Sequence, residues 1–202
     1  MSIIKVSNLT FSYDGTYENI FENTSFIIDT NWKLGLIGRN GKGKTTFLNL
    51  LLGKYDYQGS ITTNVEFDYF PFEVNDDSLT PYEIAQNYCE FFELWKFNRE
   101  VSLLNITEEA LSRPFNTLSK GEQTKILLAI LFLKENNFLL IDEPTNHLDL
   151  EARYTVAEYL KRKKGFILVS HDRRFLDECV DHILSINRAN IEIQQGNFSS
   201  WY

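Results

Sequence analysis

Two short stretches of this chain carry residue types that do phosphate chemistry. The first is Gly38-Arg39-Asn40-Gly41-Lys42-Gly43-Lys44-Thr45-Thr46, in which Gly38, Gly43, Lys44 and Thr45 fit the spacing G-x-x-x-x-G-K-[ST]. Glycines open backbone conformations closed to other residues, so successive N–H groups can converge on phosphate oxygens. A helix starting at this turn adds the partial positive charge of its N-terminus. Lys44 is then expected to reach the outer phosphates and the Thr45 hydroxyl to bind Mg²⁺. The second stretch, Phe138-Leu139-Leu140-Ile141-Asp142-Glu143, is an apolar run closed by two acids. A buried strand ending this way puts carboxylates at the C-terminal edge of a sheet, where ligands of such folds bind. Asp142 suits the Mg²⁺ shell, directly or through water, and Glu143 suits the water that attacks a γ-phosphate. Alone, an acid-ended strand is a common polar loop; paired with the glycine turn it reads as a nucleoside triphosphate site.

The elements that must position these groups follow from periodicity and breakers. Short strands are expected at Ile3–Val6, Leu9–Tyr13, Phe26–Ile28, Lys33–Ile37, Ile61–Thr63 and Val65–Phe70. The strand at Lys33–Ile37 runs straight into the glycine turn, and a helix from about Thr45 to Leu52 leaves it. Thr80-Pro81-Tyr82-Glu83 has the residues of a capping box with proline at the first helical position, opening a helix to about Phe97. Leu103 to Asn116 reads as irregular with one short helix after Thr107. Ser119-Lys120-Gly121-Glu122 is a second capping box, opening an apolar helix to about Lys134. Then come a strand (Phe138–Ile141), a helix (Leu150–Lys163), a strand (Phe166–Ser170), a helix (Arg173–Val180) and a terminal hairpin. Strands alternating with helices imply a largely parallel sheet covered on both faces. The strandless segment from about Asn75 to Ser119 is a helical insertion.

Composition bounds the class. With 202 residues, 43% apolar and 24% charged, the chain can bury a core without disulfides. Cys89 and Cys179 share no ligand-like spacing with the three histidines and read as free, packing thiols. The longest apolar run, Ile126 to Leu133, is far shorter than the ~20 residues that span a bilayer. No stretch resembles a signal peptide, so a cytoplasmic protein without membrane insertion is expected. The net charge of −8 disfavours nucleic acid as a general partner. Lys161-Arg162-Lys163-Lys164 reads as a solvated helix end rather than an RNA contact. Phe91, Phe92 and Trp95 are assigned to core packing ahead of a partner surface. His182 reads as an ordinary polar residue at a strand end.

Together the motifs resemble the ABC ATPases. Leu118-Ser119-Lys120-Gly121-Glu122-Gln123 is similar to their signature motif, in order between the phosphate turn and the acid strand. Glu143-Pro144-Thr145-Asn146-His147-Leu148-Asp149 resembles the catalytic-glutamate run of the ABC-F subfamily, and Ser170-His171-Asp172-Arg173 the switch-histidine segment. Within ABC-F the chain is most similar to the Lsa- and Vga-like antibiotic-resistance group. The supporting stretches are Thr30-Asn31-Trp32-Lys33-Leu34-Gly35-Leu36-Ile37-Gly38-Arg39-Asn40-Gly41, Lys163-Lys164-Gly165-Phe166-Ile167-Leu168-Val169-Ser170-His171-Asp172 and Gln195-Gly196-Asn197-Phe198-Ser199.

The resemblance implies an α/β fold: a P-loop NTPase core with a mostly parallel sheet flanked by helices, an N-terminal antiparallel part, and a helical subdomain over about 75–135. It implies ATP and Mg²⁺ as ligands, with Tyr13 stacking on adenine. Gly38, Asn40, Gly41, Lys42, Gly43, Lys44, Thr45, Thr46 and Asp142 would line the site. Glu143 and His171 are the implied catalytic residues, His171 at the γ-phosphate. Ser119, Gly121 and Glu122 would act on the ATP of a second ABC domain, in the full-length chain or in a homodimer. The chain, 1–202, is expected to be the first ABC domain of a longer ribosome-associated resistance protein, its linker and second ABC domain lying beyond Tyr202. Other readings are an ATPase subunit of a membrane transporter, disfavoured by Asn146-His147, and an ATP-gated module with little hydrolysis. Tyr13 stacking suits GTP as well as ATP. Two departures stand out: Phe72 occupies the place of a metal-binding glutamine, and Lys120 replaces the first signature glycine.

Overall fold

The computed structural model describes residues 2–16, 18–39, 41, 43–187 and 190–201. Its elements run β1 (Ile3–Phe11), β2 (Phe21–Asp29), β3 (Lys33–Gly38), α1 (Lys44–Leu51), β4 (Gln58–Thr62), β5 (Glu66–Phe70), α2 (Pro81–Tyr88), α3 (Leu94–Leu103), α4 (Glu108–Leu111), α5 (Lys120–Leu131), β6 (Asn137–Asp142), α6 (Leu150–Lys161), β7 (Phe166–Val169), α7 (Arg173–Cys179), β8 (His182–Asn187), β9 (Asn190–Gln195) and α8 (Phe198–Trp201). A single 3-10 turn, Phe115–Thr117, precedes α5.

Two sheets form. One has the order β2-β1-β4 and is antiparallel; the other has the order β5-β6-β7-β3-β8-β9 and is parallel except for the β8–β9 hairpin. The runs at β3, β6 and β7 are continuously apolar because the large sheet is covered on both faces. Alternate residues feed two cores. Leu139, Ile141, Phe166 and Leu168 join the helices α2, α3, α5, α6 and α7. Phe138, Leu140, Ile167 and Val169 join α1 and the antiparallel sheet. The sheet is thus a septum, and its upper edge carries both the glycine turn after β3 and the acids after β6.

Several expectations are corrected. The two short N-terminal strands are one, β1, with register irregularities after Val6 and Leu9 and Asn8 at φ 51°, and Tyr13 lies beyond its end. The single helix expected from Pro81 to about Phe97 breaks. Cys89 is extended and buried, and Phe92 turns inward to meet Phe97 at 5.9 Å, so packing overrides helix propensity. Of the aromatic trio only Phe92 packs on the core, while Phe91 and Trp95 are 86% and 59% exposed. The helix α8 has no counterpart in the expected elements.

The basic run at the end of α6 is not wholly solvated either. Lys163 pairs with Glu100 of α3, which is 1% exposed, and its ammonium lies 4.6 Å from the Tyr159 ring centroid. The Tyr159 hydroxyl donates to the same carboxylate at 2.7 Å, and Arg99 donates to its other oxygen at 2.9 Å. Burial opposes the charge on Glu100, but these bonds and the Lys163 cation outweigh it and hold its carboxyl below the usual range. This cluster ties the helical insertion to the end of α6.

Candidate nucleotide site

The turn between β3 and α1 is shaped by glycine. Gly41 and Gly43 hold φ of 73° and 102°, a region costly for other residues. A Cβ on Gly43 would also stand 2.7 Å from Ile20 Cγ2, so the site of closest approach admits no side chain. Gly43 is the N-cap of α1 and offers no side-chain cap, which leaves the first-turn N–H groups to a ligand. Lys44 folds over the turn, its Nζ donating to the Gly38 carbonyl at 2.9 Å. Asn40 and Lys42 lie outside the described residues.

A cleft of about 480 Å³ opens above this turn, lined by Tyr13, Ile20, Gly41, Gly43, Lys44, Thr45, Thr46, Asp142, Glu143, Val169 and His171. Tyr13 is 40% exposed and stands at its mouth. The Tyr13 and Thr46 hydroxyls share a hydrogen bond of 2.7 Å, and the Tyr13 ring meets Phe11 edge-on at 5.1 Å. The ring is thus held by the Thr46 hydroxyl and the Phe11 ring.

The acids come from β6. The Glu143 N–H donates to the Val169 carbonyl at 2.9 Å, extending the β6–β7 pairing past the strand end. Glu143 then takes φ 49°, a left-handed conformation that costs a non-glycine residue ~1–3 kcal/mol. Its Oε2 accepts the His171 N–H at 3.2 Å, while buried Oε1 has no hydrogen-bond partner among the described residues and lies 3.4 Å from His171 Nε2. A strained backbone thus sets in the cleft lining a carboxylate with one buried oxygen left unsatisfied among the described residues. The His171 loop is tied to the acid loop by side chains. Thr145 and Ser170 hydroxyls meet at 3.2 Å, and Arg153 donates to the Leu148 carbonyl at 3.1 Å and to Asp172 at 3.3 Å. Asp172 also caps α7.

Asp142 is held from its other side. The Tyr69 hydroxyl of β5 donates to Asp142 Oδ2 at 2.8 Å. Burial and this carboxylate push the Tyr69 phenol well above its usual range, so it stays a donor. Sequence reasoning gave Tyr69 no role; its only signal was its place near the end of the strand beside the acid strand. Phe72, by contrast, turns away: its ring stacks on Tyr88 at 4.2 Å and packs with the helical core.

Ser119, Gly121 and Glu122 do not line the cleft. Ser119 and Glu122 complete a reciprocal capping box at the start of α5, and Gly121 faces the His147 carbonyl. A second cleft of about 500 Å³, lined by Tyr69, Lys120, Gln123, Asp142, Glu143 and His147 among others, lies between α5 and the acids. Lys120 Nζ donates to Gln123 at 3.0 Å. The donor set of the first cleft, a glycine cradle with Lys44, Thr45 and Asp142, fits a triphosphate with a hard divalent cation.

Comparison with known proteins shows the family. A family model described as ABC transporter matches residues 21–146. The ribosome protection protein VmlR of Bacillus subtilis (strain 168) is 35% identical over 98% of this chain and 36% of its own length. ABC transporter F family member 2 of Dictyostelium discoideum is 29% identical over 98% of this chain and 35% of its own. The chain therefore spans about a third of the length of these relatives. In fold it is similar to a solved ATP binding subunit of an ABC transporter, with TM-score 0.79 and 24% identity over 98% of this chain and 91% of that one. Among the described residues no helix is long and apolar enough to cross a membrane. From its glycine turn, acid strand and matched sequence, the chain belongs to the ABC transporter family of ATP-binding domains, in the ABC-F branch.

Proposed function

We infer that this chain binds MgATP in the cleft above the glycine turn and hydrolyses it as one half of a composite site with a second ABC domain. The observation that carries the reading is the convergence of Lys44, Thr45, Asp142, Glu143 and His171 on one cleft. Backbone N–H groups of the turn and Lys44 would grip the phosphates. Thr45 and Asp142 would hold Mg²⁺, which would supply positive charge to offset that of the phosphates. Glu143 Oε1 orients and deprotonates the attacking water, and the Glu143–His171 contact sets the imidazole beside the transferred group. Positioning and charge neutralisation of this kind supply most of the catalysis in phosphoryl transfer.

The composite reading is supported by the absence of Ser119, Gly121 and Glu122 from the lining of the chain's own cleft. Turnover per chain is then expected to rise with protein concentration and fall on dilution, as read by phosphate release. Fast turnover independent of concentration overturns the two-domain requirement.

Tyr13 is the proposed base platform. Tyr13→Ala is expected to weaken ATP binding by the ~1–3 kcal/mol of an aromatic–base stack, while Tyr13→Phe keeps most of it. Titration with a fluorescent ATP analogue reads both; equal affinities for wild type and Tyr13→Ala would remove Tyr13 from the site.

The similarity to the ribosome protection protein VmlR supports action at the ribosome, which would place the chain in the cytoplasm; drug resistance as the outcome rests on the resemblance to the Lsa- and Vga-like group. Sedimentation of ribosomes with a Glu143→Gln chain, with and without ATP, tests this association. Pelleting that ignores ATP argues against a nucleotide-gated ribosome partner.

A further inference from the structure

The Asp142 carboxylate has one oxygen committed before any ligand arrives. Tyr69 and Phe67 share one face of β5 and pack with the α1-side core, while Phe70 turns to the helical side. In the parallel pairing Tyr69 stands opposite Leu140 and Phe70 opposite Ile141, so the phenol extends past the end of its own strand's pairing to reach Asp142. Lys54 Nζ stands 5.6 Å from the Tyr69 ring centroid. Tyr69 lines the α5-side cleft and not the P-loop cleft. In the sheet β5 flanks β6 on the edge opposite β7 and β3, so the phenol reaches the carboxylate from the strand farther from the phosphate turn. A hydroxyl bonded to a carboxylate is a charge-assisted pair, roughly twice as strong as a neutral one. Holding Oδ2 restrains the carboxylate of a residue that lines the cleft Thr45 shares. Phe72, two positions beyond Phe70, has no oxygen to offer and is stacked on Tyr88.

We propose that Tyr69 is a positioning residue for the cation-side carboxylate: its O–H bond sets the orientation in which Asp142 binds the divalent ion of a bound nucleotide. The inference rests on the nucleotide reading above. Tyr69 touches neither substrate nor reacting atoms and acts through Asp142.

The test is a cation titration of nucleotide binding with the full chain. Tyr69→Phe removes one oxygen and keeps the ring that packs on the core. Affinity for a fluorescent ATP analogue in EDTA is expected to stay within about twofold of wild type. The Mg²⁺ concentration giving half-maximal binding enhancement is expected to rise about tenfold, the loss of one hydrogen bond to a charged group. Bound Mn²⁺ followed by electron paramagnetic resonance should report the same shift. In an Asp142→Asn background Tyr69→Phe should add no further shift, since the effect runs through that carboxylate. A Tyr69→Phe chain that melts like wild type and keeps the wild-type Mg²⁺ midpoint overturns this inference alone. So does an undiminished further shift in the Asp142→Asn background, which would mark Tyr69 as merely structural. A wild-type chain that binds no nucleotide, with or without cation, overturns this inference and the reading beneath it.

Discussion

Glu143→Gln is expected to lower ATP turnover by about 10²–10⁴-fold while leaving ATP affinity nearly unchanged. The amide has the size of the carboxylate and retains an oxygen to accept the His171 N–H, which Glu143 Oε2 now accepts at 3.2 Å. The left-handed backbone at φ 49° and the bond to Val169 do not depend on the side chain's charge. What disappears is the basicity of Oε1, the buried oxygen without a hydrogen-bond partner among the described residues. Water in the cleft then keeps its proton, and the barrier rises without a change in ground-state contacts. Single-turnover phosphate release and analogue binding on the same preparation separate the two effects. If the substitution leaves turnover untouched, the enzymatic reading fails and an ATP-gated interaction module takes its place.

Lys163→Met is expected to destabilise the fold by about 3 kcal/mol, since it strands the Glu100 carboxylate inside the protein. The estimate sits at the low end for a broken buried pair because Arg99 still holds Oε1, at 2.9 Å. For a chain of this size such a loss lowers the melting temperature by about 6–12 °C. Glu100→Leu combined with Lys163→Met should recover part of it, because the under-compensated buried charge is removed along with the pair while the buried Tyr159 hydroxyl loses this acceptor. The pH dependence has a definite sign. The folded-state carboxyl of Glu100 lies below its unfolded value, so its contribution is complete above the ordinary glutamate range. It fades as the pH falls through the depressed value. Thermal melts of the three chains across that range check both statements; a single substitution that melts like wild type refutes the role given to the pair.

Much of the site was legible because it is local. The glycine turn is contiguous and flanked by an apolar run and a helix former, and the acid strand announces both its burial and its end. The capping boxes at Thr80/Glu83 and Ser119/Glu122 were readable for the same reason, and both form reciprocally. What escaped depends on distant partners. Lys163 carries the same side chain as its solvated neighbours, and only the arrival of Glu100 from α3 buries it. Cys89 to Glu93 contains neither glycine nor proline, so nothing local foretells the break that lets Phe92 pack. Tyr69 becomes meaningful only once β5 is known to lie beside β6. The exposure of Trp95 likewise reflects which face of α3 meets the core, and that of Phe91 the turn that precedes the helix.

Asp142 and Glu143 wall two clefts at once, one above the glycine turn and one facing α5. Between the phosphate chamber and the Lys120–Gln123 side there is accordingly a diaphragm no thicker than a pair of side chains. A molecule seated in either chamber would therefore touch the same two carboxylates.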